Sequence, residues 1–252
     1  MKNYSSIGGV FSGGGVRGVA HLGVIKALQA RGINFDIVAG TSSGALVACF
    51  YAAGVSPDDT LEIFKTLTVR KLLKPAWNRR GLLDLHQLTP LFDQYLPVRT
   101  FEALEKPLTI CAINMTDGQV KYFQSGDLYA PLMASCALPG IFAPIIIDGK
   151  QYVDGGMLNN LPVEAILGRA DFIVGSHCNV VKKGDELLTI KKNIERCLLM
   201  AVGANVKNSQ KWCNWFIEPP LLCDFQALEM KRLDQIFQIG YEYASRYLDS
   251  HL

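Results

Sequence analysis

Apolar positions along the chain fall into short runs that end in glycine-rich turns. Ile7 to Ser12 predicts a short strand, and it runs directly into Gly13-Gly14-Gly15-Val16-Arg17-Gly18. From Val19 to Ala30 the residues are apolar nearly all round a helix, which predicts a buried one. Gly32 follows at the C-terminal cap. Phe35 to Ala39 is apolar and partly β-branched, predicting a buried strand, and it leads into Gly40-Thr41-Ser42-Ser43-Gly44. A second helix over Ala45 to Ala53 stops at Gly54. Two strand–glycine turn–helix units in succession predict an α/β domain built on a parallel sheet.

Further along, Pro57 to Thr66 predicts a helix, while residues 68–97 fit no regular period and read as a cap or excursion. Leu108 to Phe123 alternates around Asp117-Gly118, a hairpin signal. Leu128 to Ala137 predicts a helix ending near Pro139-Gly140, and Ile145–Ile147 with Gln151–Val153 predict two short strands joined by Asp148-Gly149. Asp154-Gly155-Gly156 closes that unit. Phe172 to Ser176 predicts another buried strand, residues 187–207 a long helix, and Cys213 to Ile217 a last strand before Pro219-Pro220. Leu228, Leu233, Phe237, Gly240, Ala244, Tyr247 and Leu248 keep helical spacing, so a C-terminal helix should dock on the core. With no internal repeat and no low-complexity linker, residues 1–252 read as one domain.

Composition sharpens this picture. The chain is 49% hydrophobic and only 19% charged, and its mean hydropathy is +0.17. Strands buried on both faces are therefore expected. A net charge of +2 is too small to argue for nucleic acid. The seven cysteines (Cys49, Cys111, Cys136, Cys178, Cys197, Cys213 and Cys223) are scattered and include no CxxC. They read as small buried hydrophobes in a reducing compartment, not as a disulfide framework or zinc site. No apolar stretch near Met1 is long enough for a signal peptide, and none reaches the roughly 18 residues of a spanning helix. The expected location is cytoplasmic, with contact to a membrane from that side.

Three stretches carry candidate chemistry. Gly40-Thr41-Ser42-Ser43-Gly44 is a GxSxG between a strand and a helix, the context in which the central serine projects from a sharp turn as a nucleophile. Gly40 and Gly44 remove side chains that would clash there, and the helix behind supplies unpaired amides. The alternative is a plain glycine-rich turn with a serine capping the helix, a role open to Ser43. The run from Gly13 to Gly18 also matches GxGxxG through Gly13, Gly15 and Gly18, which would suit a dinucleotide. That use needs an acid at the end of the next strand, but Asp36 stands at its beginning. The other use of such a loop is an oxyanion hole of backbone amides beside Ser42, with Arg17 adding charge or holding the loop. Asp154 on its glycine-lined turn is a candidate base, though Asp-Gly alone is an ordinary turn. His177 follows a strand end, so a triad in the order Ser42, Asp154, His177 is also formally available. His21 reads as a packing or hydrogen-bonding residue behind the glycine loop, and His86 and His251 as surface residues.

Taken together and in this order, GGGVRG, GTSSG and DGG resemble the patatin-like phospholipase family, most closely its bacterial members. Ala134-Ser135-Cys136-Ala137-Leu138-Pro139-Gly140-Ile141-Phe142-Ala143-Pro144 and Asn159-Asn160-Leu161-Pro162-Val163 resemble it too. The resemblance runs from about residue 7 to 180, and residues 181–252 match nothing in it. It implies a three-layer α/β/α sandwich with a mainly parallel central sheet. It implies hydrolysis of lipid acyl esters through a Ser–Asp dyad and an acyl-enzyme, with no metal and no cofactor. The nucleophile is then Ser42 and the base Asp154. The oxyanion loop is Gly13, Gly14 and Gly15 with Arg17 and Gly18, and the base loop is Gly155 and Gly156. An acyltransferase using the same serine, or a lipid-binding regulatory protein with a vestigial site, are the other readings.

One stretch stands outside these motifs. Arg70, Lys71, Lys74, Arg79 and Arg80 are interleaved with Leu72, Leu73, Trp77, Leu82 and Leu83. Basic and bulky apolar residues together suit an anionic membrane surface, so residues 70–83 are a candidate peripheral membrane contact. The alternative is a helix with one solvated face.

Overall fold

The computed structural model describes residues 4–66, 83–181, 189–227 and 229–252. One eight-stranded sheet organises them. Its parallel part contains β1 (Ile7–Phe11), β2 (Ile37–Thr41), β3 (Leu108–Asn114), β7 (Phe172–Ser176) and β8 (Trp215–Ile217). β4 (Gln119–Phe123), β5 (Ile145–Ile147) and β6 (Lys150–Asp154) join in antiparallel pairs. The order is β5-β6-β3-β2-β1-β7-β8, with β4 beside β3. The helices are α1 (Ala20–Gln29), α2 (Ser43–Ala52), α3 (Pro57–Thr66), α4 (Thr89–Tyr95), α5 (Tyr129–Cys136), α6 (Ile190–Gln210) and α7 (Leu233–Asp249).

Successive strand residues point to opposite faces, and both faces are covered here. Phe11, Val38, Phe172 and Val174 enter a large core with residues of α1, α2, α5 and α7. Val10, Ile37, Ala39 and Ile173 enter a smaller one with Leu161, Val163, Ile166 and, from α6, Val206. The fold is therefore mixed α/β with helices flanking a central sheet, and its second helical layer is the thinner. Every residue of α1 except Lys26 and Gln29 is buried, as its all-round apolar pattern requires. α1 packs along α7 at glycines: a Cβ on Gly23 would strike the Phe237 carbonyl, and one on Gly240 the Ala20 carbonyl.

Most elements fall where the pattern puts them, and the shifts have local causes. The strand expected at 35–39 runs from Ile37 to Thr41, because its ladder with β1 begins at Gly8↔Ile37 while the Phe35 amide donates to Tyr51 Oη. A 3-10 turn over Gly15–Val19 precedes α1. α4 lies in the stretch without regular period; Pro90 opens it and Phe92 anchors it in the core. Residues 70–82 of the basic stretch lie outside the described residues, whereas Leu83 bridges to Phe142. The reading of the cysteines as uniformly buried needs correction. Cys49, Cys111 and Cys178 are buried and Cys136, Cys213 and Cys223 half-buried, but Cys197 is exposed. Cys197 sits on the first half of α6, which stands off the core, as the exposed Ile194 and Leu198 beside it also show. Among the described residues no helix is long and apolar enough to cross a membrane.

The glycines give a test with opposite signs. Gly240→Ala should destabilise the protein by about 1–3 kcal/mol, because two helix backbones must part. Gly203→Ala, mid-helix in α6 with open space around its Cβ position, should stabilise by ~0.5–1 kcal/mol. Urea-unfolding midpoints measure both.

Candidate active site

The site is assembled on one edge of β3. β2 pairs along its first half, ending with Thr41 opposite Cys111. β6 pairs along its second half, with Asp154 opposite Ala112. β4 occupies the other edge over both halves, from Ile110 to Asn114, so β2 and β6 share an edge and meet end to end. Ser42 follows Thr41, and the junction therefore sets Ser42 and Asp154 side by side although 112 positions separate them.

Ser42 itself is strained. Its φ of 54° and ψ of −126° lie where a residue with a Cβ seldom rests. The contacts around it hold it there. Its amide donates to Ser135 Oγ at 2.8 Å, and that hydroxyl donates to the Cys111 carbonyl at 2.6 Å. Ser135 thus caps the point where β3 changes partner. The turn also needs close backbone approach. A Cβ on Gly44 would strike the Phe11 and Ser12 carbonyls, and one on Gly40 the Gly44 carbonyl. Ser43 was a candidate helix cap, but its Oγ is buried without a partner among the described residues. Ser42 makes no side-chain cap bond to α2 either.

Asp154 is only 6% exposed. Burial raises its pKa from 3.8 to about 6, against the neighbouring Ser42 hydroxyl and the Gly156 amide, which favour the charged form. The Gly156 amide donates to Oδ1 at 2.8 Å. Gly155 passes over Cys111, where a Cβ would lie 2.7 Å from its carbonyl oxygen. Cys136 also adjoins the pair. Burial first, then the Asp154 charge, push its thiol upward, with the Ser42 hydroxyl opposing. The thiol stays protonated and does not compete as a nucleophile.

The glycine loop lies against this pair. A Cβ on Gly13 would come within 2.9 Å of Ser42 Cβ. The Gly13 amide donates to the Asn160 carbonyl at 3.3 Å. The Gly14 and Gly15 amides have no partner among the described residues, and Gly15 has a φ of +60°. Arg17 is buried and donates from Nε to the Gly14 carbonyl at 3.4 Å, so it braces the loop from within. Gly18 packs behind, where a Cβ would strike Ser43 Oγ. Asp36, the acid a dinucleotide would need, accepts from the Ile7 amide at the start of β1, the opposite end of the sheet.

Both buried histidines are engaged elsewhere. Burial lowers the His21 pKa to about 4, so the ring is neutral. Its Nε2 donates to the Ser12 carbonyl at 2.9 Å, and its Nδ1 accepts from Ser176 Oγ at 2.7 Å. His177 follows β7, two strands from β2, a separation of roughly 10 Å. Its Nδ1 faces Glu218 at 2.6 Å, on the side away from Ser42.

The sequence motifs did not reveal the polar side chains behind the loops. Asn159 Nδ2 donates to Tyr122 Oη and Glu164 at 2.9 Å each. Asn205 of α6 accepts from the Asn160 amide at 3.0 Å and donates to the Gly156 carbonyl at 3.0 Å. Ala227 accepts from the Val16 amide at 2.8 Å. Residues far beyond the motifs thus hold the glycine loop and the Asp154 loop, and no local spacing announces them.

Residues 9–167 match the patatin-like phospholipase family. The chain belongs to that family. Among its relatives is an uncharacterized NTE family protein of Mycobacterium tuberculosis, 37% identical over 175 residues; the match covers 68% of this chain and 48% of that one. A lysophospholipase NTE1 of Mycosarcoma maydis is 33% identical over 170 residues, covering 64% of this chain and 9% of that one. The chain thus spans about half the length of the mycobacterial relative, and a small part of the fungal one. VipD of Legionella pneumophila shares the patatin-like fold, with a TM-score of 0.65 over 98% of this chain and 67% of that one, at 16% identity.

The buried carboxylate also predicts a stability signature. A pKa raised on folding means that the charged form costs stability as pH rises through about 6, and that the cost is absent below 3.8. The rise corresponds to roughly 3 kcal/mol. Asp154→Asn should therefore melt at a higher temperature than the parent at pH 8. The gain should shrink towards zero near pH 4, as followed by calorimetry.

Proposed function

We propose that this patatin-like chain hydrolyses carboxylic esters of lipids through a Ser42–Asp154 dyad. The observation that carries the reading is the placement of Ser42, on a strained turn, beside the buried Asp154 carboxylate at the β2–β6 junction, next to two unspent glycine amides. The name of the fungal relatives, lysophospholipase, favours a lipid ester as substrate.

In this mechanism Ser42 Oγ attacks the ester carbonyl while its proton passes to Asp154. The Gly14 and Gly15 amides stabilise the oxyanion. Asp154 returns the proton to the departing alcohol, leaving an acyl ester on Ser42. Asp154 then deprotonates water, which attacks that ester. The collapsing intermediate expels Ser42 Oγ, which takes the proton back and frees the fatty acid. A carboxylate suits this role because desolvation raises its basicity towards the working pH. Cytoplasmic location and a peripheral membrane contact through residues 70–83 belong to the same proposal. Replacing Lys71, Lys74, Arg79 and Arg80 with Gln should weaken binding to anionic vesicles at low salt while sparing hydrolysis of a soluble ester.

Kinetics and labelling test the dyad. Ser42→Ala should lose fluorophosphonate labelling and turnover by a factor on the order of 10⁶, whereas Ser43→Ala keeps measurable turnover. Because the base must be ionised, kcat/KM should fall as pH drops through about 6 and level off above it. Asp154→Asn should be folded and nearly inactive. His21→Gln and His177→Gln should retain substantial turnover. A folded His177→Gln as inactive as Ser42→Ala would replace the dyad with a triad.

A further inference from the structure

The Gly13 carbonyl is held more heavily than a turn requires. Asn179 Nδ2 donates to it at 2.6 Å, Asn160 Nδ2 at 3.3 Å and Cys178 Sγ at 3.5 Å. In a trans peptide the carbonyl of one residue and the N–H of the next point in opposite directions. Fixing the Gly13 oxygen therefore fixes the Gly14 N–H and turns it away from the Asn179 side. That N–H has no partner among the described residues, and Gly13 beside it lies against Ser42.

Asn179 reaches this oxygen because the segment after β7 runs beside the glycine loop. The Cys178 amide donates to Ser12 Oγ at 3.1 Å, just past the end of the β1–β7 ladder at Phe11↔Ser176. Asn179 is buried, yet its Oδ1 has no partner among the described residues. An unpaired buried oxygen is unfavourable. A leucine would fill similar space without it, so what the amide adds is the Nδ2 bond to Gly13. A Cβ on Gly14 would come within 2.8 Å of Asn179 Oδ1, so the side chain also packs directly on the loop it holds.

We propose that Asn179, assisted by Asn160, is a positioning residue that aims the Gly14 amide at the oxyanion of the acyl-transfer intermediate. This rests on the reading of Ser42 as nucleophile. It assigns a catalytic contribution to the strand end after β7, outside the three motifs GGGVRG, GTSSG and DGG.

The test uses the full chain with Asn179→Ala and the isosteric Asn179→Asp, whose carboxylate has no proton to donate. A soluble ester gives kcat and KM. A trifluoromethyl ketone, whose serine adduct carries an oxyanion, is compared as inhibitor with the corresponding alcohol, which forms no adduct. We expect kcat to fall about 10–100-fold, with KM within about twofold of the parent. The ketone should weaken in proportion to kcat/KM while the alcohol binds as before. A folded variant with parental kcat and ketone affinity would overturn the proposal, and so would an equal loss for ketone and alcohol, which marks general distortion. If Asn179→Ala fails to fold, Asn179→Asp decides alone by the same criteria. Loss of fluorophosphonate labelling in Ser42→Ala checks the underlying reading separately. Labelling that survives there removes the nucleophile assignment itself, whereas Ser42-dependent labelling with unaffected Asn179 variants removes only this inference.

Discussion

The site depends on a change of partner along a single edge of β3. Thr41 stands opposite Cys111 and Asp154 opposite Ala112, so consecutive residues of one strand fix the positions of two distant segments. Hydrogen-bonded ladders hold register tightly wherever both faces are buried, because a slip of one residue turns every side chain to the wrong face. The Ser42–Asp154 separation is therefore set by backbone pairing and not by flexible loops. Ser135 completes the junction by bonding both the Cys111 carbonyl and the Ser42 amide.

Around that junction, missing side chains matter as much as those present. Gly13, Gly44 and Gly155 are each pressed against backbone or Ser42 at distances that no Cβ tolerates. They let three chain segments converge within van der Waals contact. A raised carboxylate pKa and a strained serine φ follow from that crowding, since water is excluded and the turn has no room to relax.

Much of this was legible in the sequence, for reasons that can be named. Glycines at tight turns announce themselves, and apolar runs such as 7–12 and 172–176 mark strands buried on both faces. The order of GGGVRG, GTSSG and DGG points to the family on sequence alone. Other features stayed silent. The 35–39 run gives apolarity but not the ladder offset that moves β2 to Ile37–Thr41. α4 is one short helix held by Phe92 and opened by Pro90, too brief for a period to emerge. Asn160 and Ser135 lie within stretches that resemble the family, yet nothing local encodes their hydrogen bonds. Asn179 and Asn205 are single polar residues whose partners lie 166 and 49 positions away, and no local pattern encodes such pairings. Cys197 looked like its buried counterparts because exposure on a helix that leaves the core is a tertiary property.

The stretch that matches the family as a whole is residues 9–167, but the architecture around the site extends past it. β7 closes the open side of β1 immediately afterwards, and Asn205 and Ala227 later grip the two loops beside Ser42. A chain cut where the sequence match ends would leave the central strand as a bare edge, a ready template for intermolecular strand pairing. For anyone engineering this protein, the minimal excisable cassette is consequently larger than the homology block. Fusion or permutation sites belong outside the stretch from β1 to α7.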